Sequence, residues 1–280
     1  PHSSIPHGPF EEGQDIQAAI ANLAESGGEI RLAAGAWTLS SPLIINKSNV
    51  SLRGSGWNTV LTGNPTRTPT HWDGVIHIKA DNVRISDLKI IHPFYPTGYS
   101  GVRIEQEPSQ THTNIQLERL WITGEREQDA AWTWSSNIWI GSEHINYCAA
   151  ENVAIRDCLL ALQAAGRHNI LISSGRHFII ENNILRNCSA AGAGLWIEPG
   201  KGGLPIDHVK IANNIIEDDD TKLLAEDFSA TDVSEGGESI VDAPGIGALV
   251  TAHGGPTVAQ FKIVGRDAWL GVSSVRSPDQ

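Results

Sequence analysis

One segment constrains this chain more than any other, because it recurs: His177-Phe-Ile-Ile-Glu-Asn-Asn-Ile-Leu185. Related segments are Asn82-Val-Arg-Ile-Ser-Asp-Leu-Lys-Ile90, Asn114-Ile-Gln-Leu-Glu-Arg-Leu-Trp-Ile122, Asn152-Val-Ala-Ile-Arg-Asp-Cys-Leu-Leu160 and His208-Val-Lys-Ile-Ala-Asn-Asn-Ile-Ile216, and Asn49-Val-Ser-Leu52 opens the series. Each reads as a short buried strand, a tight polar turn and a second short strand. The apolar second residues, Val50, Val83, Ile115, Val153, Phe178 and Val209, are separated by 33, 32, 38, 25 and 31 positions. One such unit cannot bury its own apolar face. Stacking units does bury it, so an irregular period of this size built from strands predicts a solenoid rather than a closed globule.

The flanks differ from the repeats. Residues 1–13 are rich in Pro, His and Gly and read as an extended arm. Asp15 is placed to cap a helix over residues 15–26, with Ile16, Ile20 and Leu23 on one face and Gly27-Gly28 stopping it. A solenoid end exposes a row of unpaired backbone groups, and an amphipathic helix ahead of the first coil would cover it. After Glu217 the pattern breaks. Asp218 to Gly237 is polar and acidic, and residues 239–251 and 257–264 read as strands around Gly/Pro turns, a small β module over about 237–275. The expected organisation is an arm and helical cap over 1–47, coils over 48–217, and an acidic linker with a C-terminal β cap over 218–280.

Charge and cysteines narrow the function. The net charge is −12, so a nucleic-acid partner is disfavoured, because phosphate binding wants a basic footprint. No apolar run approaches the ~20 residues of a membrane helix. Cys148, Cys158 and Cys188 show no CxxC pairing and read as buried small hydrophobes, with one disulfide left open. The chain has no methionine, which reads as a processed or trimmed product.

The order helix, Gly27-Gly-Glu-Ile-Arg-Leu-Ala-Ala-Gly-Ala-Trp37, Asn49-Val-Ser-Leu-Arg-Gly-Ser-Gly56, then repeated Asn-Val-x-Ile segments resembles the pectate-lyase-like right-handed parallel β-helices over about residues 14–217. That family includes polysaccharide lyases, glycoside hydrolases, uronate epimerases and phage tailspike proteins. The fold it implies is all-β: a single-stranded right-handed parallel β-helix with an N-terminal capping helix and a small C-terminal β module. It also implies three strands per coil. The first strand of successive coils is then Gly74-Val-Ile-His-Ile-Lys79, Val102-Arg-Ile-Glu105, Ile138-Trp-Ile-Gly141, Ile170-Leu-Ile-Ser173 and Leu195-Trp-Ile-Glu198. Alternation sends Ile76/Ile78, Val102/Ile104, Ile138/Ile140, Ile170/Ile172 and Leu195/Ile197 inward. The outward columns are His77, Arg103, Trp139, Leu171, Trp196 and, next to it, Lys79, Glu105, Gly141, Ser173, Glu198.

The family's own motifs are not matched. The Arg-x-Pro-x-x-Arg run of the Ca²⁺-dependent pectate lyases is absent. The Asn-Thr-Asp of the pectin-hydrolysing members is absent too, and Ala252-His253-Gly254 falls outside the repeats. No activity carries over residue by residue, and no metal or cofactor is implied. Asp218–Asp220 has ligands of the kind Ca²⁺ takes, but a charge run is more often solvated. Gly54-Ser-Gly56 precedes strand-like residues rather than a helix, so it is a turn and not a phosphate loop.

The connections after the first and third strands vary most, and binding concentrates in such loops over a rigid scaffold. Tyr95, Tyr99, Trp132 and Trp134 lie in them, beside the outward Trp139 and Trp196. Aromatic planes stack on sugar rings, and they equally pack under loops or form subunit contacts. Lys79, Arg103 and Arg176 are the cations placed to hold an acidic sugar. Candidate acid/base groups are Glu105, Glu107, Asp129, Glu127, His144, Tyr147, His177 and Glu198, with the bland alternative a solvated acidic loop. Sugar cleavage needs a proton donor at the leaving oxygen and a second carboxylate, or a base plus a group neutralising a uronate. Glu105 and Glu198 stand three rungs apart, ~14 Å at ~4.8 Å per rung, too far for one carboxylate pair at ~5–10 Å. Glu105 with Glu127 or Asp129 is the pair of choice. Three readings remain: a polysaccharide lyase or hydrolase, a homotrimeric virion tailspike or fibre that binds a surface glycan, and a structural or adhesive solenoid. All three place the protein outside the cell or on a virion.

Overall fold

In a computed structural model the described residues are 15–63, 73–93, 99–104, 110–125, 135–141, 150–162, 168–186, 193–197, 206–217, 223–228, 239–242, 247–253, 261–264 and 269–275, from 216 onward as backbone only. The first coil is β1 (Gly28–Arg31), β2 (Gly35–Thr38) and β3 (Leu43–Ile45). The next three are β4 (Val50–Arg53), β5 (Thr59–Thr62), β6 (Asp73–Ile78); β7 (Val83–Ser86), β8 (Lys89–Pro93), β9 (Tyr99–Ile104); and β10 (His112–Glu118), β11 (Trp121–Glu125), β12 (Ser136–Ile140). They are followed by β13 (Ala150–Arg156), β14 (Leu159–Leu162), β15 (His168–Ile172); β16 (Gly175–Glu181), β17 (Ile184–Arg186), β18 (Ala193–Ile197); and β19 (Ile206–Ala212), β20 (Ile215–Glu217), β21 (Leu223–Phe228).

Every third strand pairs in parallel, giving three sheets. Sheet I holds β3, β6, β9, β12, β15, β18 and β21, the strands expected first in each coil. Sheet II holds β1, β4, β7, β10, β13, β16 and β19. Sheet III holds β2, β5, β8, β11, β14, β17 and β20. This is the expected right-handed parallel β-helix. The parallel pairing runs on past Glu217: β22 (Ser239–Asp242) and β24 (Phe261–Val264) extend sheet III, while β23 (Gly247–His253) and β25 (Trp269–Val275) extend sheet I. Among the described residues the last strand of sheet II is β19.

The helix α1 (Ile16–Asn22) is shorter than the expected 15–26. Asp15 caps it as anticipated, its Oδ1 accepting from the Ala18 amide at 3.0 Å. The helix stops at Leu23, before the glycines, because Leu23 takes an extended ψ of 148°. Ile16 and Ile20 are buried against the first coil. Among the described residues no helix is long and apolar enough to cross a membrane.

Two backbone kinks per coil set the register. Asn49, Asn82, Asn114, Asn152, His177 and His208 enter sheet II at φ 53–61°. Asp87, Arg119, Asp157, Asn182 and Asn213 turn the chain from sheet II to sheet III at φ 51–59°. Both sets lie in the left-handed region, which Asn and Asp tolerate because their short polar side chains bond locally. The entering asparagines also form a ladder: Asn82 Nδ2 donates to Asn49 Oδ1 (3.0 Å), Asn114 to Asn82 (2.9 Å) and Asn152 to Asn114 (3.4 Å). His177 and His208 replace the ladder with a tilted ring contact, centroids 4.6 Å apart. Arg119 is an unusual left-handed residue, at a cost of about 1 kcal/mol. Its bidentate ion pair with Asp87 (2.6 and 3.0 Å) offsets that cost.

The core is the stack of inward residues, among them Ile76, Val102, Ile138, Ile170 and Leu195, as alternation predicts. Cys158 is buried with them as a free thiol, and burial pushes its pKa up to about 12. Cys148 and Cys188 lie outside the described residues. The paired asparagines divide their work. Asn182 and Asn213 supply the kinks, while Asn183 and Asn214 turn inward, bond each other at 2.9 Å, and donate to the carbonyls of Ile155 and Ile180. A second interior polar chain was not anticipated: His92 Nε2 meets Asn137 Oδ1 at 2.9 Å, Asn137 donates to Asn169 at 2.6 Å, and Asn169 donates to the Arg186 carbonyl. Gly101 sits beside this chain, where a β-carbon would overlap Ile122 Cγ2. Gly56, at φ 93°, makes the turn expected at 54–56.

Candidate functional site

Sheet I carries the outward column anticipated from alternation. Register pairs Ile44 with His77, His77 with Arg103, Arg103 with Trp139, Trp139 with Leu171 and Leu171 with Trp196. The Arg103 guanidinium lies over the Trp139 ring at 4.3 Å, and its Nη2 donates to the Gly141 carbonyl at 3.3 Å. One coil on, the His168 imidazole leans on the Trp196 indole at 4.4 Å. His168 was not singled out in the sequence. The signal was its place in register with Ser100 and Ser136, two further buried polar residues on this sheet.

Direction and exposure part company here. Arg103 is 0% exposed and Trp139 1% exposed, although both point away from the core. A guanidinium stays charged when buried, so its contacts with an indole face and a carbonyl dipole matter more than they would in water. Of the other cations, Lys79 follows β6, donates its amide to the Ile45 carbonyl, and lines a depression of about 280 Å³ with Asp81 and His112. Tyr99 begins β9 and is buried. Arg176 stands on sheet II, bonded to Glu151 at 2.9 Å, and so is apart from the strip. Glu105, Glu107, Glu127, Asp129, His144, Tyr147 and Glu198 lie outside the described residues, as do Tyr95, Trp132 and Trp134. In the chain, Glu105 directly follows the last residue of β9, two positions after Arg103.

The outer face of sheet II forms a second candidate surface. Register aligns three columns over four coils. The first is Asn114, Asn152, His177 and His208. The second is Gln116, Ala154, Ile179 and Lys210, and the third is Glu118, Arg156, Glu181 and Ala212. Ala154 is small and leaves a notch between Gln116 and Ile179. The resulting depression has a volume of about 660 Å³. His177 was named in the sequence as an acid/base candidate; here it stands 3.4 Å from Glu151.

Ion pairs run along this face: Arg84 with Glu118 at 2.7 Å, Arg53 with Asp87 at 3.1 Å, and Arg156 and Lys210 with Glu181 at 2.7 and 2.9 Å. The hydrogen bond from Arg119 holds the Asp87 carboxyl below the usual range. At Glu181, partial burial pushes the pKa up, but hydrogen bonds from Lys210 and Arg156 outweigh it and the net shift is downward. Among the described residues no cluster of three or more His, Cys, Asp or Glu side chains could hold a metal.

No protein-family model matches this chain, and no curated protein matches it. Solved structures do. The A-module of the mannuronan C-5 epimerase AlgE6 of Azotobacter vinelandii superposes with a TM-score of 0.52 at 15% identity, covering 95% of each chain. The likeness is one of fold. The catalytic domain of Agl-KA matches with a TM-score of 0.57 at 16% identity, over 92% of this chain and 45% of that one. An alginate lyase from Paenibacillus sp. FPU-7 matches with a TM-score of 0.51 at 14% identity, over 91% and 95%.

Proposed function

We propose that the chain binds a polysaccharide along the sheet I side and cleaves it by lyase or glycoside-hydrolase chemistry. The observation carrying this reading is the strip in which Arg103 lies over Trp139 and His168 lies against Trp196 on successive coils. Fixed rings and a guanidinium on consecutive rungs, ~4.8 Å apart, form a rigid floor. Because Arg103 and Trp139 are out of water, sugar contact falls to the connections entering sheet I, which carry Tyr95, Trp132 and Trp134. Glu105 is the proton-transferring group, with Asp129 or Glu127 its partner across the bond being broken. The guanidinium of Arg103 puts positive charge on this side, which favours an anionic sugar such as a uronate. Similarity of fold to an epimerase and a lyase named for mannuronan and alginate supports an acidic glycan as substrate. The place of action is then extracellular or on a virion surface.

The test is a glycan array followed by a product assay on whatever binds. Glu105→Gln and Asp129→Asn are expected to abolish product release while retaining binding. Full activity in both variants overturns this site assignment. Neither binding nor new reducing ends across a broad panel leaves only an adhesive or structural solenoid.

A second reading, a homotrimeric fibre module that binds a surface glycan, is favoured by the outer face of sheet III. There Trp121, Leu159, Ile184 and Ile215 align on successive coils as a half-buried apolar stripe, and Trp57 stands exposed beside Trp121 at 5.6 Å. Such stripes suit subunit contacts. Solution mass decides: a strict monomer of 30.1 kDa overturns it.

A further inference from the structure

The geometry points to a second, non-catalytic binding site on the outer face of sheet II that takes a carboxylate-bearing saccharide unit, a uronate, in the notch at Ala154. This goes beyond the reading above in place and in chemistry, since it lies on another sheet and needs no cleavage.

Three features define the ligand. The floor is apolar and flat: the Ala154 and Ile179 side chains, adjacent in register, present the kind of surface on which a sugar ring face lies. One side is lined by amides, with Gln116 exposed and Asn152 at the end of the asparagine ladder, both suited to ring hydroxyls. The other side carries charge. Arg156 and Lys210 reach the same carboxylate, Glu181, at 2.7 and 2.9 Å, so two cations face one anion. The neighbouring carboxylate, Glu151, is already matched by Arg176 at 2.9 Å. Glu118, next to Arg156 in register, is matched in turn by Arg84 at 2.7 Å, so the depression holds a local surplus of about one positive charge in a chain whose net charge is −12. Arg156 offers a planar fork suited to a carboxylate, and Lys210 a mobile point charge beside it.

The charge balance also selects among anions. Nucleic acid brings a phosphate at roughly every 1.7 Å of duplex axis and would meet the repulsion of the whole chain. A saccharide brings one carboxylate per ring, which a single surplus charge can match. A depression of about 660 Å³ is within the usual size of small-ligand sites.

The probes are trigalacturonate and trimannuronate, with maltotriose as the neutral control, titrated calorimetrically into the whole chain. Saturable binding of an acidic trisaccharide is expected, weakening as salt is raised from 50 to 300 mM because the surface pair is screened. Ala154→Leu fills the notch and Lys210→Gln removes the surplus charge; each should weaken that binding at least tenfold. Both positions point outward, and a melting curve confirms folding. If one variant fails to fold, the other carries the test. Product release from polysaccharide should be unchanged in both, which separates this site from sheet I. The proposal is overturned if the parent binds neither acidic probe up to millimolar concentration, if maltotriose binds as well, or if both variants bind like the parent. Self-association that accounts for the heat, seen as a higher mass in light scattering, also overturns it.

Discussion

On sheet I the outward residues of successive coils, Arg103, Trp139 and Leu171, are out of contact with water; on sheet II their counterparts Arg84, Gln116, Ile179 and Lys210 keep part of their surface. Both sheets obey the same alternation and the same coil spacing, so neither explains the contrast. The connections do. Sheet II passes to sheet III through one left-handed residue per coil, Asp87, Arg119, Asp157, Asn182 or Asn213, which leaves no chain to fold over that edge. Sheet I strands are joined by longer connections, such as 105–111, 126–135 and 141–149, with the exit from β15 at 173–174 an exception. A parallel solenoid thus offers repeated faces of similar chemistry that differ in exposure and in the length of the connections beside them.

The largest effect should come from truncating the covered face. Trp139→Ala removes a fully buried indole and the surface under Arg103, and should cost about 3–5 kcal/mol in chemical denaturation. Ile179→Ala, the corresponding change on sheet II, should cost under about 1 kcal/mol. Equal losses would break the comparison.

A smaller effect separates kink from ladder. Asn114 holds a φ of 58° and bonds the amides before and after it. Asn114→Ala should destabilise by about 1–3 kcal/mol, since it loses both the bonds and the left-handed tolerance. Asn114→Gly keeps the conformational freedom and should lose less. If Gly and Ala cost the same, the conformation contributes nothing and the amide ladder accounts for the whole loss.

The smallest effect is pH dependence. Asp87 and Glu181 have folded pKa values below their ordinary 3.8 and 4.5. A depressed carboxylate contributes stability that is present above the unfolded pKa and lost as pH falls through the folded one. Stability should therefore decline below about pH 4.5, by roughly 0.5–1 kcal/mol per group given the partial exposure of the partners. Arg119→Gln should flatten the Asp87 share, and thermal melts from pH 6 to pH 3 read it.

The fold was legible because its determinants repeat. Six Asn or His residues before an apolar position give the period, and left-handed asparagines are a local property that survives any tertiary context. The inward columns followed from alternation once the resemblance had divided each coil into three strands. What alternation cannot carry is exposure: it gives Trp139 a direction and says nothing of what lies over it. The chain His92, Asn137 and Asn169 was missed for another reason. Asn137-Ile138 and Asn169-Ile170 repeat at a spacing of 32, within the 25 to 38 of the visible motif, but an asparagine at the start of a strand reads as a turn residue until its neighbours are placed. The depression on sheet II needed three coils in register before Arg156 and Lys210 could be seen sharing Glu181. Glu105 closes a repeated first-strand segment, but Asp129 stands on an insertion whose sequence has no period, so the repeat does not position the two together.

Hydrogen exchange on the glycan-bound protein tests the central claim most directly, the assignment of the polysaccharide site to the sheet I side. In the Ala154→Leu variant, saturating glycan should slow exchange in peptides covering 105–111 and 126–134, and leave the sheet II to sheet III turns at 87, 119 and 157 unchanged. Protection at those turns, with none at 105–111 or 126–134, would contradict the account.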